Sequence, residues 1–137
     1  MGAGKCILVA DDDQDLVDLL KLDLTHEGYE ILTALDGKEA LQILNSQKVD
    51  LVILDVMMPY VDGYHVAYEL TSHPAQGALP KILILTSRDV TEEREIAKLS
   101  GADVLIQKPF DMEDLHQWIR ELLGSAVQNR EGNLKSQ

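Results

Sequence analysis

The chain of 137 residues is long enough for one compact domain and too short for two of ordinary size. Hydrophobic residues make up 45% of it and charged residues 26%, so a core can form and a disordered chain is excluded. The 12 basic and 24 acidic residues give a net charge of −12, which opposes binding to nucleic acid or to an anionic membrane.

The cysteine content and the apolar runs exclude further classes of protein. Cys6 is the only cysteine, so neither a disulfide framework nor a cysteine-based zinc site is expected. No apolar run approaches the roughly 20 residues that a membrane-spanning helix needs. The first residues, MGAGKC, lead directly into a strand-like run without a targeting segment. We therefore expect a cytoplasmic protein with no membrane partner.

Short apolar runs alternate with longer segments of helical period, which predicts five strand–helix pairs. In chain order we predict a strand at 5–10, a helix at 14–27, a strand at 30–34, a helix opening at Asp36, a strand at 49–54, a helix at 63–72, a loop at 73–80, a strand at 81–85, a helix at 91–100, a strand at 104–107 and a helix at 111–123. Glu39, three residues after Asp36, completes a capping box.

The alternation predicts an α/β fold with a parallel sheet. The first, third and fourth strands are apolar on both faces, as expected of strands buried between two layers of helices. Right-handed crossovers place the carboxyl ends of all strands at one edge of the sheet, where such folds bind their ligands. We predict a single domain over 1–123, followed at 124–137 by a flexible tail or the start of a linker.

Polar side chains stand just past four of the five predicted strands. They are Asp11, Asp12 and Asp13 after the first strand, Asp55 after the third, Thr86 and Ser87 at the end of the fourth, and Lys108 and Pro109 after the fifth. Two like charges about 4 Å apart repel by ~4 kcal/mol at an effective dielectric of about 20, so a converging acidic cluster needs cations. Lys108 supplies one positive charge, and Mg²⁺, which prefers oxygen ligands, supplies the rest.

Such a site predicts phosphoryl chemistry. A carboxylate beside Mg²⁺ can attack a phosphoryl group and form an acyl phosphate. Lys108 would offset charge on the phosphoryl oxygens, and the Thr86 hydroxyl would donate a hydrogen bond to one of them. Asp13 is interpreted instead as a helix-start residue, because a negative charge is favourable near a helix N-terminus.

Four segments carry these residues in an order typical of one family. The segments are ILVADDD at 7–13, LVILDVMMPYVDGY at 51–64, ILILTS at 82–87 and GADVLIQKPF at 101–110. Together they resemble the response-regulator receiver domains of two-component phosphorelay signalling, over residues 5 to about 123. The resemblance implies a flavodoxin-like doubly wound sheet of five parallel strands in the order 2-1-3-4-5.

The resemblance also implies a role for each residue at the strand ends. It implies Asp55 as the phosphoacceptor, Asp12 as a direct Mg²⁺ ligand, Asp11 as a ligand mainly through water, the Met57 carbonyl as a further ligand, Thr86 as the switch hydroxyl and Lys108 as the phosphate partner. Pro59 and Gly63 would shape the loop after Asp55, and the Lys108–Pro109 bond is the candidate for a cis peptide. Leu105 departs from the family, which often has an aromatic switch residue there.

The function that follows is a signalling switch and not an enzyme acting on other substrates. A sensor histidine kinase or a phosphotransfer protein would phosphorylate Asp55. The charge change would then act through the face of the fourth helix, fifth strand and fifth helix, altering affinity for an output protein or domain or for a second copy of the chain.

Two alternative functions remain. One is that of a Mg²⁺-dependent phosphatase or phosphotransferase, for which this chain lacks a fitting D-x-D context and a cap domain. The other is a pseudo-receiver that no longer takes phosphate.

Overall fold

The computed structural model describes residues 4–73, 79–124 and 135–136. Its elements are β1 (Cys6–Ala10), α1 (Gln14–His26), β2 (Glu30–Ala34), α2 (Gly37–Ser46), β3 (Leu51–Asp55), α3 (Gly63–Ser72), β4 (Lys81–Thr86), α4 (Val90–Ser100), β5 (Val104–Gln107), α5 (Met112–Gly124) and β6 (Lys135–Ser136). Among these described residues, no helix has the length and apolar character needed to cross a membrane.

The sheet has the predicted topology. Its order is β2-β1-β3-β4-β5-β6, and every neighbouring pair is parallel. The five predicted strands thus lie in the order 2-1-3-4-5, which confirms the predicted fold class. Because all five run in one direction, their carboxyl ends lie at one edge of the sheet, the carboxyl edge, and their amino ends at the opposite edge, the amino edge.

Helices cover both faces of the sheet, so the strands are buried on both sides. On one face α2, α3 and α4 pack on a cluster that includes Leu8, Val52, Leu54, Ile82 and Ile84. On the other face α1 and α5 pack on a cluster that includes Ile7, Val9, Ile53, Leu83 and Leu85. Residues of one strand alternate between the two clusters because successive side chains of a strand point to opposite faces.

The local signals at the helix ends are present as predicted. Asp36 accepts a hydrogen bond from the backbone N–H of Glu39 at 2.7 Å, and the Glu39 carboxylate reaches back to the N–H of Leu35 at 3.0 Å. At the C-terminal end of a different helix, α4, Gly101 has a φ of 93°, a left-handed conformation that glycine adopts without strain. The capping box at the start of α2 is therefore present as predicted, and a left-handed glycine ends α4.

Small differences in strand bounds and one further strand separate the structure from the prediction. β3 begins at Leu51 and not at 49, since the Asp50 side chain turns to the backbone N–H of Cys6. Residues 74–78 of the predicted 73–80 loop, and most of the predicted 124–137 tail, lie outside the described residues. Within that tail, Lys135 and Ser136 form β6 beside β5, a pairing that the polar sequence did not predict.

Candidate functional site

The carboxyl edge of the sheet brings together side chains from four strands. Asp11 follows β1, Asp55 ends β3, Thr86 ends β4 and Lys108 follows β5, which are the positions predicted from the sequence. Carboxylate oxygens of Asp11, Asp12 and Asp55 lie within 4.8 Å of one another. Asp11 and Asp55 are buried, whereas Asp12 is exposed, so solvent reaches the cluster from the side of Asp12.

Lys108 bridges the two buried carboxylates. Its Nζ atom lies 2.9 Å from an oxygen of Asp11 and 2.8 Å from an oxygen of Asp55. Burial alone would lower the pKa of the Lys108 ammonium, but the hydrogen bonds to Asp55 and Asp11 and the negative charges of both acids together outweigh it and raise that pKa. The lysine is therefore held in its charged form between the two acids.

Burial also determines the ionisation of Asp55. The pKa of its carboxyl is raised, chiefly by burial; Lys108 opposes the rise, while the negative charges of Asp11 and Asp12 add to it. One lysine thus faces three carboxylates, so two negative charges of the cluster remain to be balanced. This excess attracts a further cation.

Main-chain contacts bring together the strand ends that carry the site residues. The Lys108–Pro109 peptide is cis, as predicted, and the Lys108 N–H donates to the carbonyl of Thr86 at 2.7 Å. Gly63 packs against the strand end, since a Cβ there would lie 2.3 Å from the carbonyl oxygen of Asp55. A side chain at this position would therefore displace the Asp55 backbone, which gives the predicted shaping role of Gly63 a steric basis.

Thr86 is the last residue of β4 and begins the turn into α4. Its side chain is fully buried, and its Oγ1 accepts a hydrogen bond from the backbone N–H of Arg88 at 3.0 Å. The same side chain is thus part of the turn that leads into α4. A movement of the Thr86 hydroxyl would have to break this turn contact.

The loop after β3 carries the remaining predicted residues. Met57 follows Asp55 by two positions, and its side chain is 58% exposed. Tyr60 has a φ of 70° and is 83% exposed, and the neighbouring Pro59 carbonyl accepts a hydrogen bond from Val61 N–H at 2.8 Å. This tight turn lies in the loop that joins Asp55 to α3.

Asp13 begins α1, as predicted. It is the N-cap residue, and its carboxylate accepts hydrogen bonds from the backbone N–H groups of Asp15 and Leu16. Its own N–H donates to Asp11 at 2.9 Å, which orients that carboxylate. Asp13 is therefore occupied in holding the helix and does not join the cluster.

Sequence reasoning missed a second polar contact close to the site. The Tyr64 hydroxyl of α3 donates to the buried Glu93 of α4 at 2.7 Å, and an Arg88 guanidinium nitrogen lies 3.7 Å from the same carboxylate. Burial and the contact with Glu93 raise the pKa of the Tyr64 phenol. No local motif marks either residue, because they stand 29 positions apart and meet only when α3 packs on α4.

The site suits Mg²⁺ by the chemistry of its donors. Mg²⁺ takes oxygen ligands, usually from one or two carboxylates, and keeps several waters. The exposed Asp12 and the buried Asp55 offer carboxylate oxygens, and the predicted Met57 carbonyl lies in the adjoining loop. The described residues around this cluster include no cysteine or histidine, which would favour a softer metal.

The chain matches the response regulator receiver domain family over residues 7–120. It is 46% identical over 110 residues to the uncharacterized transcriptional regulatory protein YrkP of Bacillus subtilis, covering 80% of this chain and 46% of YrkP. The chain spans about half the length of the curated relatives it matches.

Two solved structures are similar in fold and contain magnesium. Response regulator TrrA of Thermotoga maritima, solved in complex with Mg²⁺ and BeF, is 38% identical, with a TM-score of 0.76 over 87% of this chain and 99% of that one. The receiver domain of a sensor histidine kinase from Pseudomonas aeruginosa, solved with magnesium in its active-site cleft, is 25% identical, with a TM-score of 0.79 over 90% and 100%. The chain therefore belongs to the receiver domains of two-component response regulators, a family phosphorylated on aspartate with Mg²⁺.

Proposed function

We propose that Asp55 is the phosphoacceptor of this receiver domain and that a sensor histidine kinase or a phosphotransfer protein is its donor. The observation that carries the proposal is the Lys108 bridge at 2.9 Å from Asp11 and 2.8 Å from Asp55. The bridge places two buried carboxylates beside a cation, and together with the exposed Asp12 they suit a metal. Asp55 is also the strand-end carboxylate of β3, where the loop with Met57 lies open to an incoming donor.

The proposed step transfers a phosphoryl group from a phosphohistidine. A carboxylate oxygen of Asp55 attacks phosphorus, so an O–P bond forms while the P–N bond to the donor imidazole breaks. The electron pair of the broken bond leaves with the imidazole nitrogen, which takes a proton from solvent. The product is an acyl phosphate on Asp55, and the donor histidine is regenerated.

The chain's own residues orient and neutralise the reacting groups. Asp11, Asp12, Asp55 and the Met57 carbonyl would hold Mg²⁺, with Asp11 acting mainly through water; when bound, the ion offsets charge on the phosphoryl oxygens. The hydrogen bond from Lys108 favours the ionised form of Asp55 that attacks, and the same ammonium then faces the transferred group.

Switching would begin at Thr86. The hydroxyl would leave its contact with the Arg88 N–H and donate to a phosphoryl oxygen, drawing the β4–α4 turn toward the site. The change would reach the face of α4, β5 and α5, where Gln107 of β5 accepts from the Val90 N–H of α4 at 3.3 Å. Leu105 is fully buried at the position of the family's aromatic switch residue, so this face would respond through α4 without a rotating ring.

The surrounding system follows from the same proposal. The domain would promote only its own phosphorylation and dephosphorylation and would act on no other substrate. Its output would be a changed affinity for an output protein or domain, or for a second copy of the chain. YrkP is named as a transcriptional regulatory protein, which supports a coupled output. We place the protein in the cytoplasm, with Cys6 reduced and buried in β1.

Intact mass after incubation with acetyl phosphate tests the proposal. We expect a gain of one phosphoryl group that requires Mg²⁺ and is lost in base. Asp55→Asn should abolish the gain. Asp50→Asn, an equally conservative change at the amino edge, should leave it intact. No gain with any metal would support the pseudo-receiver alternative, and a gain that survives in Asp55→Asn would show that another residue is the acceptor.

A further inference from the structure

Helix α4 has two exposed flanks of opposite character. It buries Glu93, Ala97 and Ser100, and residues three or four apart form rows on either side of this buried line. One flank carries the exposed acids and apolar residues Glu92, Glu95, Ile96 and Leu99. The other carries the exposed bases Arg94 and Lys98. The basic flank is the one that follows Val90, which contacts β5 through Gln107, so the acidic, apolar flank is turned toward α3.

A groove with apolar walls lies between that flank and α3. Its cavity measures about 460 Å³, and it is lined by Tyr64, His65, Tyr68, Ile96, Leu99 and Ser100. Tyr68 is 55% exposed, Ile96 46% and Leu99 72%, so three large apolar side chains face solvent at one place. Contiguous exposed apolar surface of this kind is typical of a binding site for another molecule.

The floor of the groove is held rigidly. The Tyr64 hydroxyl donates to Glu93 at 2.7 Å, and the Thr71 hydroxyl of α3 donates to the Ser100 carbonyl at the end of α4 at 3.1 Å. These contacts join the two helices at both ends of the groove. A partner would therefore meet a largely preformed surface.

The charges around the groove indicate the partner's chemistry. Glu92 and Glu95 precede Ile96 and Leu99 by one helical turn and are exposed on the same flank of α4. On the α3 side, the Asp62 carboxylate lies 3.0 Å from the ring of His65. The chain as a whole carries a net charge of −12. Acidic residues beside an apolar groove complement a helix with one apolar face and basic flanks.

We propose that the groove between α3 and α4 docks a basic amphipathic helix of a partner protein. A second copy of this chain is the less suitable occupant, because two surfaces of the same negative sign repel each other. The proposal goes beyond the switch described above, since the groove lies on the opposite flank of α4 and needs no phosphoryl group. The unphosphorylated protein can therefore test it, independently of Asp55.

The probe is a synthetic helix-forming peptide titrated into the isotope-labelled full chain and followed by amide chemical shifts. It carries leucine at positions i, i+3, i+4 and i+7 and lysine elsewhere, and a control peptide carries glutamate in place of lysine. We expect shift changes confined to α3 and α4, and binding of the control peptide weaker by about tenfold or more. Equal binding of both peptides, or changes spread over other faces, would overturn the proposal.

A matched pair of leucines gives the second arm. Leu99→Ser should weaken binding of the lysine peptide by about tenfold, whereas Leu22→Ser on α1 should leave it unchanged. The two leucines are 72% and 74% exposed, so neither change threatens folding. Equal effects of the two changes would sink the proposal. Sedimentation of the chain alone gives the alternative outcome: self-association lost only in Leu99→Ser would assign the groove to a second copy.

Discussion

Aspartates stand at both edges of the sheet, and the two edges satisfy them in different ways. At the amino edge, Asp50 accepts a hydrogen bond from the backbone N–H of Cys6 at 2.8 Å. Asp103, which precedes β5, accepts from the N–H of Ile82 at the same distance. Each of these carboxylates receives a neutral main-chain donor that ties two neighbouring strands together.

At the carboxyl edge, two buried aspartates share one side chain. Asp11 and Asp55 both contact Lys108 Nζ, and the exposed Asp12 stands beside them. At the carboxyl edge the Asp13 N–H also donates to Asp11, but one lysine side chain faces three clustered acids. Aspartates at the amino edge therefore join neighbouring strands by hydrogen bonds. Aspartates at the carboxyl edge leave negative charge in excess, which favours a cation and a phosphoryl group there.

Removal of Lys108 should have the largest effect on this comparison. Lys108→Ala leaves Asp11 and Asp55 buried without their cation, and we expect the free energy of unfolding to fall by about 2 to 3 kcal/mol in metal-free buffer. Urea unfolding with EDTA present measures it. Lys98→Ala on the exposed flank of α4 is the control and should change stability by less than about 0.5 kcal/mol. An equal effect of the two changes would contradict the bridging role.

The amino edge should respond next. Asp50→Ala removes the acceptor of the buried Cys6 N–H, and we expect a loss of about 1 to 2 kcal/mol in the same unfolding experiment. Asp50→Asn keeps an acceptor oxygen and should recover most of the loss. If alanine and asparagine destabilise equally, the backbone hydrogen bond is not what Asp50 contributes.

Glu93 is a third kind of buried acid, since a tyrosine hydroxyl and a distant arginine accompany it. Tyr64→Phe removes that hydroxyl, and we expect a loss of about 1 kcal/mol in urea unfolding. Tyr68→Phe, on the same helix and 55% exposed, should have no measurable effect. If Tyr64→Phe leaves the free energy of unfolding unchanged, water replaces the tyrosine hydroxyl as the donor to Glu93, and the hydrogen bond contributes no net stability.

Alkaline titration of Tyr64 provides an independent readout of the same contact. Burial and the bond to Glu93 raise the phenol pKa in the folded state, so this contact stabilises the fold fully below the ordinary tyrosine pKa. That stability is lost as pH rises through the higher folded value. Burial also raises the pKa of Tyr29, so phenolate absorbance should show two late-ionising tyrosines, of which one is missing in Tyr64→Phe.

The smallest effect should have the opposite sign. Asp55→Asn removes one of three clustered acids, and burial raises the pKa of Asp55, so its ionised form costs stability in the metal-free protein. This cost is absent below the ordinary carboxyl pKa and is present above the raised folded value. Asp55→Asn should therefore increase the urea midpoint slightly at neutral pH without metal, and added Mg²⁺ should remove the gain. A decrease without metal would show that Lys108 more than balances the cluster.

The strand–helix alternation predicted a parallel sheet and the convergence of Asp11, Asp55 and Lys108 at one edge, whereas the strand order came from the family resemblance. The convergence follows from local signals, because the period of each strand and the helix after it predict a right-handed crossover, which places all strand ends at the same edge. Caps such as Asp13 and Asp36 were predictable for the same reason, since their donors lie within three residues. The roles of the strand-end residues in phosphorylation stay predictions until the mass measurement is made.

Contacts between residues far apart in the sequence could be identified only in the folded structure. Tyr64 and Glu93 are 29 positions apart, and Asp50 and Cys6 are 44 apart, so no local pattern marks either pair. The groove between α3 and α4 arises likewise, because the periodicity of each helix shows which face is buried but not which neighbour lies beside the exposed flank. Local hydrogen bonding and strand period are contained in short stretches of sequence, whereas these contacts depend on how helices pack on the finished sheet.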